Sequence, residues 1–189
     1  MEIKNFVKVY DEVLPWNVLA NLIRFANLSK FEETKVGGSK EATTDFNIRR
    51  TYGLQLSNTH NSLTNVHWFN LLYFFFFKKL NEYKFDLNIL DYGLKDIFTI
   101  EILKYKNSGF YTWHVDHFAD IPRTMSCILL LNNDYEGGNL CFRNPDGTGE
   151  WEVEVKPNRM IIWPSIFLYP HTVKPVIKGT RYSVVAWAI

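Results

Sequence analysis

The chain has 189 residues, 47% hydrophobic and 16% aromatic, with a formal net charge of +1. That length sets one domain as the expectation, with enough apolar mass for a sizeable core. The near-neutral balance excludes the basic field that gathers nucleic acid or holds a protein on an anionic membrane. The run Leu71 to Phe77, closed by Lys78-Lys79, is far shorter than the ~20 residues of a membrane span. Met1-Glu2-Ile3-Lys4-Asn5 opens no signal-peptide core. Cys127 and Cys141 sit in apolar runs and read as buried thiols suited to a reducing compartment. We therefore expect a soluble, cytoplasmic protein with no nucleic-acid and no membrane partner. Nothing in the sequence signals an oligomeric state.

Residues 4–10 alternate weakly, as a strand does. Pro15 suits the first turn of a helix, and Val18, Leu19, Leu22, Ile23 and Ala26 recur at helical spacing behind it. Residues 30–60 are polar, with Gly37-Gly38-Ser39 and Thr43-Thr44-Asp45, and read as a loop with a short strand near Arg49 to Leu56. A second helix is expected from Ser62 to Tyr83, where Val66, Phe69, Leu72, Tyr73, Phe76, Leu80 and Tyr83 give a wide apolar face. The bland reading of that stripe, core packing against a sheet, is the one adopted. His67 on this helix reads as a surface or cap residue.

From Ile97 onward the pattern turns to β. Apolar runs fall at 97–105, 110–116, 124–132, 139–143, 151–155, 160–164, 172–176 and 182–188. Turn signals separate them, among them Asn107-Ser108-Gly109, Glu136-Gly137-Gly138, Asp146-Gly147 and Lys178-Gly179. Eight short punctuated strands point to a sandwich or jelly roll. Helices before strands make the class α+β, with the helices packed on one sheet. Residues 1–96 then serve as helical support and loop, and residues 97–189 as the core of the same domain.

The chemistry concentrates in His114-Val115-Asp116. A His-x-Asp spacing on a strand puts both side chains on one face, with Cα atoms ~6.5–7 Å apart. A second His from a distant strand completes a 2-His-1-carboxylate face. That ligand set leaves positions open and marks non-haem Fe(II) oxygenases. His117 points to the opposite face, which leaves His114 and His171 as ligand candidates in the β half. Arg181 opens the last strand and shares a face with Ser183. An inward Arg in an apolar strand is costly without an anion. One reading pairs it with an Asp or Glu. The other gives its guanidinium fork a dicarboxylate cosubstrate, with Ser183 as a hydroxyl donor. Charge favours the second: iron(II) with one aspartate and two neutral imidazoles keeps one positive charge, Arg181 adds another, and a dianionic 2-oxo acid cancels both.

Residues 101–188 resemble the catalytic half of the prolyl 4-hydroxylase-like branch of the Fe(II)/2-oxoglutarate-dependent dioxygenases. The resemblance rests on Tyr105, Gly109-Phe110-Tyr111, His114-Val115-Asp116, Arg123, Ser126, Leu131-Asn132, Tyr135-Glu136-Gly137-Gly138, Pro157, His171-Thr172-Val173, Pro175-Val176, Gly179-Thr180-Arg181-Tyr182-Ser183 and Trp187, in that order. It implies a double-stranded β-helix with His114, Asp116 and His171 as iron ligands. Arg181 would bind the distal carboxylate of 2-oxoglutarate, with Tyr105 facing the cosubstrate and Trp187 lining the same pocket. It also implies Fe(II), 2-oxoglutarate, O2 and ascorbate as cofactors. Oxidative decarboxylation to succinate would be coupled to hydroxylation of a C–H bond.

The substrate this implies is a proline in a peptide or protein partner, with Tyr111 and Trp113 offering flat faces to its ring. A free amino acid or other small molecule is the alternative, and a non-catalytic jelly-roll binding module is the alternative of another class. Two departures stand out. Some family members carry Lys where this chain has Arg181, and Leu130 occupies the place of a second tyrosine found in oxygen-sensing prolyl hydroxylases. The nucleic-acid demethylase branch fits less well, since Trp187 stands where it has a second arginine.

Overall fold

The computed structural model describes residues 2–35, 44–91, 93–120 and 122–189, so Gly37-Gly38-Ser39 and Thr43 of the polar loop lie outside the described residues. A 3-10 turn, Ile3–Phe6, precedes β1 (Lys8–Tyr10) and α1 (Trp16–Leu28). Then come β2 (Glu32–Glu33), β3 (Arg49–Arg50), β4 (Tyr52–Leu56) and α2 (Leu63–Asp86). The C-terminal half holds β5 (Ile97–Tyr105), β6 (Phe110–His114), β7 (Met125–Leu130), β8 (Glu136–Gly137), β9 (Leu140–Phe142) and β10 (Trp151–Glu152). It closes with β11 (Arg159–Pro164), β12 (His171–Val173), β13 (Val176–Lys178) and β14 (Arg181–Ala188).

A seven-stranded sheet runs in the order β1-β11-β7-β14-β5-β4-β2, and a five-stranded sheet in the order β10-β9-β12-β6-β3. Apart from β10, which stays beside β9, and the separate pair β8 and β13, the strands from β5 onward alternate between the two sheets, which fits a jelly roll. The large sheet is apolar on both faces. On β14, Tyr182, Val184, Ala186 and Ala188 join a cluster with Leu72 and Phe76 of α2 and Leu22 of α1, while Val185 and Trp187 join a second cluster with Phe142 and Val173 of the small sheet. The same alternation splits β5, where Ile100 and Ile102 face the helices and Leu103 and Tyr105 face the other sheet. Period two thus assigns one face of each strand to the helical layer and the other to the space between the sheets.

Several sequence expectations shift by local chemistry. Only the end of residues 4–10 is strand, because the preceding turn bonds within itself, Val7 N–H to Lys4 O at 3.1 Å. Pro15 is the residue before α1, its carbonyl accepting from Val18 and Leu19, not a member of the first turn. The expected strand over 172–176 is two: β12 pairs with β6 and β9, and past Lys174-Pro175 β13 pairs with β8 instead. Pro175 lacks the donor that would continue the ladder. The strand over 110–116 stops at His114, so Asp116 lies beyond its end. At the other edge, Asp11 takes both arms of Arg159 at 2.7 and 3.0 Å and Lys156 at 2.9 Å, tying the chain before α1 to β11. Among the described residues, no helix is long and apolar enough to cross a membrane.

Candidate metal centre and cosubstrate pocket

His114 and His171 are direct cross-strand partners on β6 and β12, with ring centroids 4.1 Å apart. Asp116 joins them from the bend after β6: its Oδ1 is 3.7 Å from His114 Nε2 and its Oδ2 is 3.4 Å from His171 Nε2. One donor atom from each of the three lies within 4.8 Å of the others, the only such group of three or more His, Cys, Asp or Glu among the described residues. The fold therefore brings these three residues together, though a bend rather than strand parity turns Asp116 back onto His114.

Both imidazoles are held in the tautomer a metal needs. His114 Nδ1 bonds Thr112 O at 2.8 Å and His171 Nδ1 bonds Tyr169 O at 3.1 Å, leaving each Nε2 lone pair aimed at the centre. Burial, aided by the neighbouring His171, pushes the His114 imidazolium down to about 3, so the ring is neutral at physiological pH. Asp116 stays ionised: burial opposes its charge, but His171, His114, Arg123 and Ser126 together outweigh that and hold it below the usual carboxylate range. Ser126 Oγ donates to Asp116 Oδ2 at 2.7 Å and also meets Ser165 Oγ at 2.7 Å. Two imidazoles with Nε2 turned inward and one oriented carboxylate, with part of the sphere unfilled by protein, are a donor set that fits Fe(II).

A cavity runs from this triad between the sheets, past Ile128 and Val185 to Tyr105, with Trp187 also on its wall. Beyond Tyr105, Arg181 is only 1% exposed. Its Nη1 donates to Ser183 Oγ at 2.8 Å, and its guanidinium carbon sits 5.0 Å from the Tyr105 ring centre. Its Nε and Nη2 are buried with no hydrogen-bond partner, and no carboxylate pairs with it among the described residues. Of the two sequence readings of Arg181, the intramolecular ion pair is therefore absent there. Asn132 brackets this arginine, accepting from Tyr182 N–H and donating to Thr180 O, each at 2.8 Å.

The cavity wall corrects one detail of the expected mouth. A bulge puts Tyr111, opposite Val173, on the same side as His114, opposite His171. The Tyr111 ring stacks on His114 at 3.5 Å. Trp113 falls outside the cavity lining and lies under Arg143, 4.2 Å from its ring centre. Sequence reasoning missed Arg49, which is brought in by pairing of β3 with β6 and lies 4.7 Å from the Tyr111 ring centre. A second, polar hollow beside the cavity shares Arg49 and Trp187 with it and adds Glu101 and Arg123. Ser126 had a sequence signal, a hydroxyl inside the apolar run Met125-Ser126-Cys127-Ile128, which marks a buried polar group needing a partner.

Two packed sheets and a two-imidazole, one-carboxylate triad on the wall of their cavity make a donor set that could hold one metal ion, of the kind open-sphere iron oxygenases use. Comparison with known proteins agrees. Residues 100–189 match the 2OG-Fe(II) oxygenase superfamily. A PKHD-type hydroxylase of Alteromonas mediterranea is 35% identical over 94 residues, which cover 44% of this chain and 40% of that protein. Human prolyl 3-hydroxylase 2 is 39% identical over 66 residues, 34% of this chain and 9% of that one. The chain thus covers less than half the length of either relative. In fold it is similar to a Pseudomonas putida prolyl-4-hydroxylase, with a TM-score of 0.65, 21% identity, and 97% and 91% of the two chains covered. It is also similar to the Trichoplax adhaerens prolyl hydroxylase in complex with a hypoxia inducible factor oxygen degradation domain peptide fragment, with a TM-score of 0.76, 14% identity, and 98% and 84% covered. Residues 100–189 thus resemble the 2OG-Fe(II) oxygenase superfamily, and the relatives matched there are hydroxylases.

Proposed function

We propose that this chain is a hydroxylase that uses Fe(II), 2-oxoglutarate and O2 to place a hydroxyl on a proline of a peptide or flexible protein segment. The observation that carries the reading is the pairing of a two-His, one-Asp triad with a buried Arg181 that has no carboxylate partner among the described residues and packs against Tyr105, a wall residue of the triad's cavity. His114, Asp116 and His171 hold the metal, which supplies the oxygen activation that side chains cannot. Asp116 brings the single negative charge, kept in orientation by Ser126. Arg181, with Ser183 beside it, anchors the distal carboxylate of 2-oxoglutarate through a charge-assisted fork. Tyr105 and Trp187 wall the space between the two ends and exclude water from it. Ascorbate serves as the reductant.

The substrate part of the proposal rests on the wall and on the relatives. Tyr111 presents a flat apolar face to the cavity beside the triad, suited to a pyrrolidine ring. The adjoining hollow offers Glu101, Arg49 and Arg123 to main-chain polar groups on either side of that ring. The prolyl hydroxylase relatives and the peptide held by the Trichoplax adhaerens enzyme support the same choice. The test is incubation of the iron-loaded protein with 2-oxoglutarate, ascorbate and proline-containing peptides. Succinate should appear together with a one-oxygen mass gain on proline. Faster turnover of a free amino acid or other small molecule than of any such peptide would retire the peptidyl-proline assignment and keep the oxygenase. No succinate with any substrate, and no cosubstrate binding, would point to a binding module instead.

A further inference from the structure

Tyr135 lies in the connection between β7 and β8, and its hydroxyl is buried without a hydrogen-bond partner. Two glycines make room for its side chain. A Cβ at Gly179 would come 3.1 Å from Tyr135 Cα and Cβ, and one at Gly138 would come 3.2 Å from Tyr135 Cε2 and 3.1 Å from Arg181 Cδ. Both glycines have positive φ, 85° and 66°, which side chains rarely adopt. Tyr135 is thus seated against the arginine whose own Nε and Nη2 lack partners. The Arg181 guanidinium acts on the Tyr135 hydroxyl, opposing the rise that burial causes. Three buried polar groups without partners at one place are unusual for a native structure, where such groups are few and mark a ligand or a function. The neighbouring strand position offers nothing in their stead: Leu130, paired with Ser183 and 2% exposed, is apolar.

A carboxylate has about four lone-pair sites. The free N–H groups of Arg181 serve two of them, and a hydroxyl serves a third. We propose that Tyr135 is a specificity-determining residue of the cosubstrate pocket. Its hydroxyl donates to the distal carboxylate of 2-oxoglutarate beside the Arg181 fork, supplying from the inter-sheet connection the donor that position 130 lacks. This rests on the reading of Arg181 as the anchor of that carboxylate. It makes the doublet Gly137-Gly138 more than a turn, since any side chain at 138 would displace both donors.

The experiment is anaerobic calorimetry of 2-oxoglutarate binding to the Mn(II)-loaded protein, with thermal unfolding of the same samples. Tyr135→Phe should weaken 2-oxoglutarate about ten- to a hundred-fold, the range for a hydrogen bond to a charged group. Metal affinity should be unchanged. Without 2-oxoglutarate its unfolding midpoint should change little, because the polar group beside the hydroxyl is the Arg181 guanidinium and that contact is too poor to be a well-formed hydrogen bond, while the rise induced by 2-oxoglutarate should shrink. Adding Leu130→Tyr to Tyr135→Phe should restore part of the affinity. Affinity within about twofold of wild type overturns the proposal, as does a lowered midpoint with a full 2-oxoglutarate-induced rise, or a Tyr135→Phe protein that does not fold. Arg181→Met separates the two layers of argument: if it binds 2-oxoglutarate normally the anchor reading fails, and if it alone loses binding only the Tyr135 assignment fails.

Discussion

Replacing Arg181 by Met should make the cosubstrate-free protein more stable and the cosubstrate-bound protein less so. The guanidinium is 1% exposed, bonded to Ser183 at 2.8 Å and otherwise without hydrogen-bond partners among the described residues. Exchanging buried charge for an apolar chain of similar length is worth roughly 1–4 kcal/mol. Freeing the Ser183 hydroxyl returns about 1 kcal/mol of that. The net is a gain of about 0–3 kcal/mol, and for a chain of this size each kcal/mol moves the midpoint by about 2–4 °C. At a hundredfold excess of 2-oxoglutarate over its dissociation constant, wild type gains about 2.7 kcal/mol and the variant gains nothing. The ranking of the two proteins should therefore approach parity or invert when cosubstrate is added. Differential scanning fluorimetry of the Mn(II)-loaded proteins, with and without 2-oxoglutarate, reads this directly. A midpoint several degrees below wild type without cosubstrate would show that Arg181 is a structural group. A wild-type shift on adding 2-oxoglutarate to the variant would refute the anchor.

Ser126→Ala removes the donor to Asp116 Oδ2, and metal affinity, read by competition with a chromophoric chelator, should fall about ten- to a hundred-fold with little change in fold. Leu72→Ala opens a cavity where α2 packs on the large sheet at 0% exposure; chemical denaturation should show a loss of about 2–5 kcal/mol, with metal affinity retained in the folded protein. The hydrogen bonds of Arg159 hold the Asp11 carboxyl below the usual range, so the unfolded chain binds that proton more readily than the folded one. Stability from this cluster is present above the unfolded carboxylate value of about 4 and is lost as pH falls through the depressed folded value. Asp11→Asn should flatten that acid limb of the stability profile, and a limb identical to wild type would assign it to other carboxylates.

The β half was legible because period two and turn residues act locally. Each of the eight expected runs holds one strand of the two sheets, and α2 follows from its apolar stripe although it runs on to Asp86. What the sequence hid was long-range or a matter of one residue's chemistry. The short strands β2, β8 and β13 have no pattern of their own and exist because a partner edge is at hand. The bulge that turns Tyr111 inward and Trp113 outward is a property of the pairing of β6 with β12, invisible along β6 alone. The cluster of His114, Asp116 and His171 was readable because few histidines compete. Arg49 was not, since nothing in Asn47-Ile48-Arg49-Arg50 tells which arginine turns toward a cavity built some sixty residues later. Tyr135 was visible as part of a string but carried no role until Arg181 was found beside it without partners.

The large sheet is a partition wall with machinery on one side and masonry on the other. Along β14, Arg181, Ser183, Val185 and Trp187 belong to the space between the sheets, and the residues between them belong to the helical layer. Changes on opposite sides share few partners, so their effects should add rather than compound. A lineage can then rebuild its helices without renegotiating its chemistry. The reach of the similarities has that shape: the superfamily match is confined to residues 100–189, while the architecture shared with the Pseudomonas putida enzyme extends over 97% of the chain. The helices α1 and α2 are free to drift in sequence so long as they go on covering the outer face of the wall.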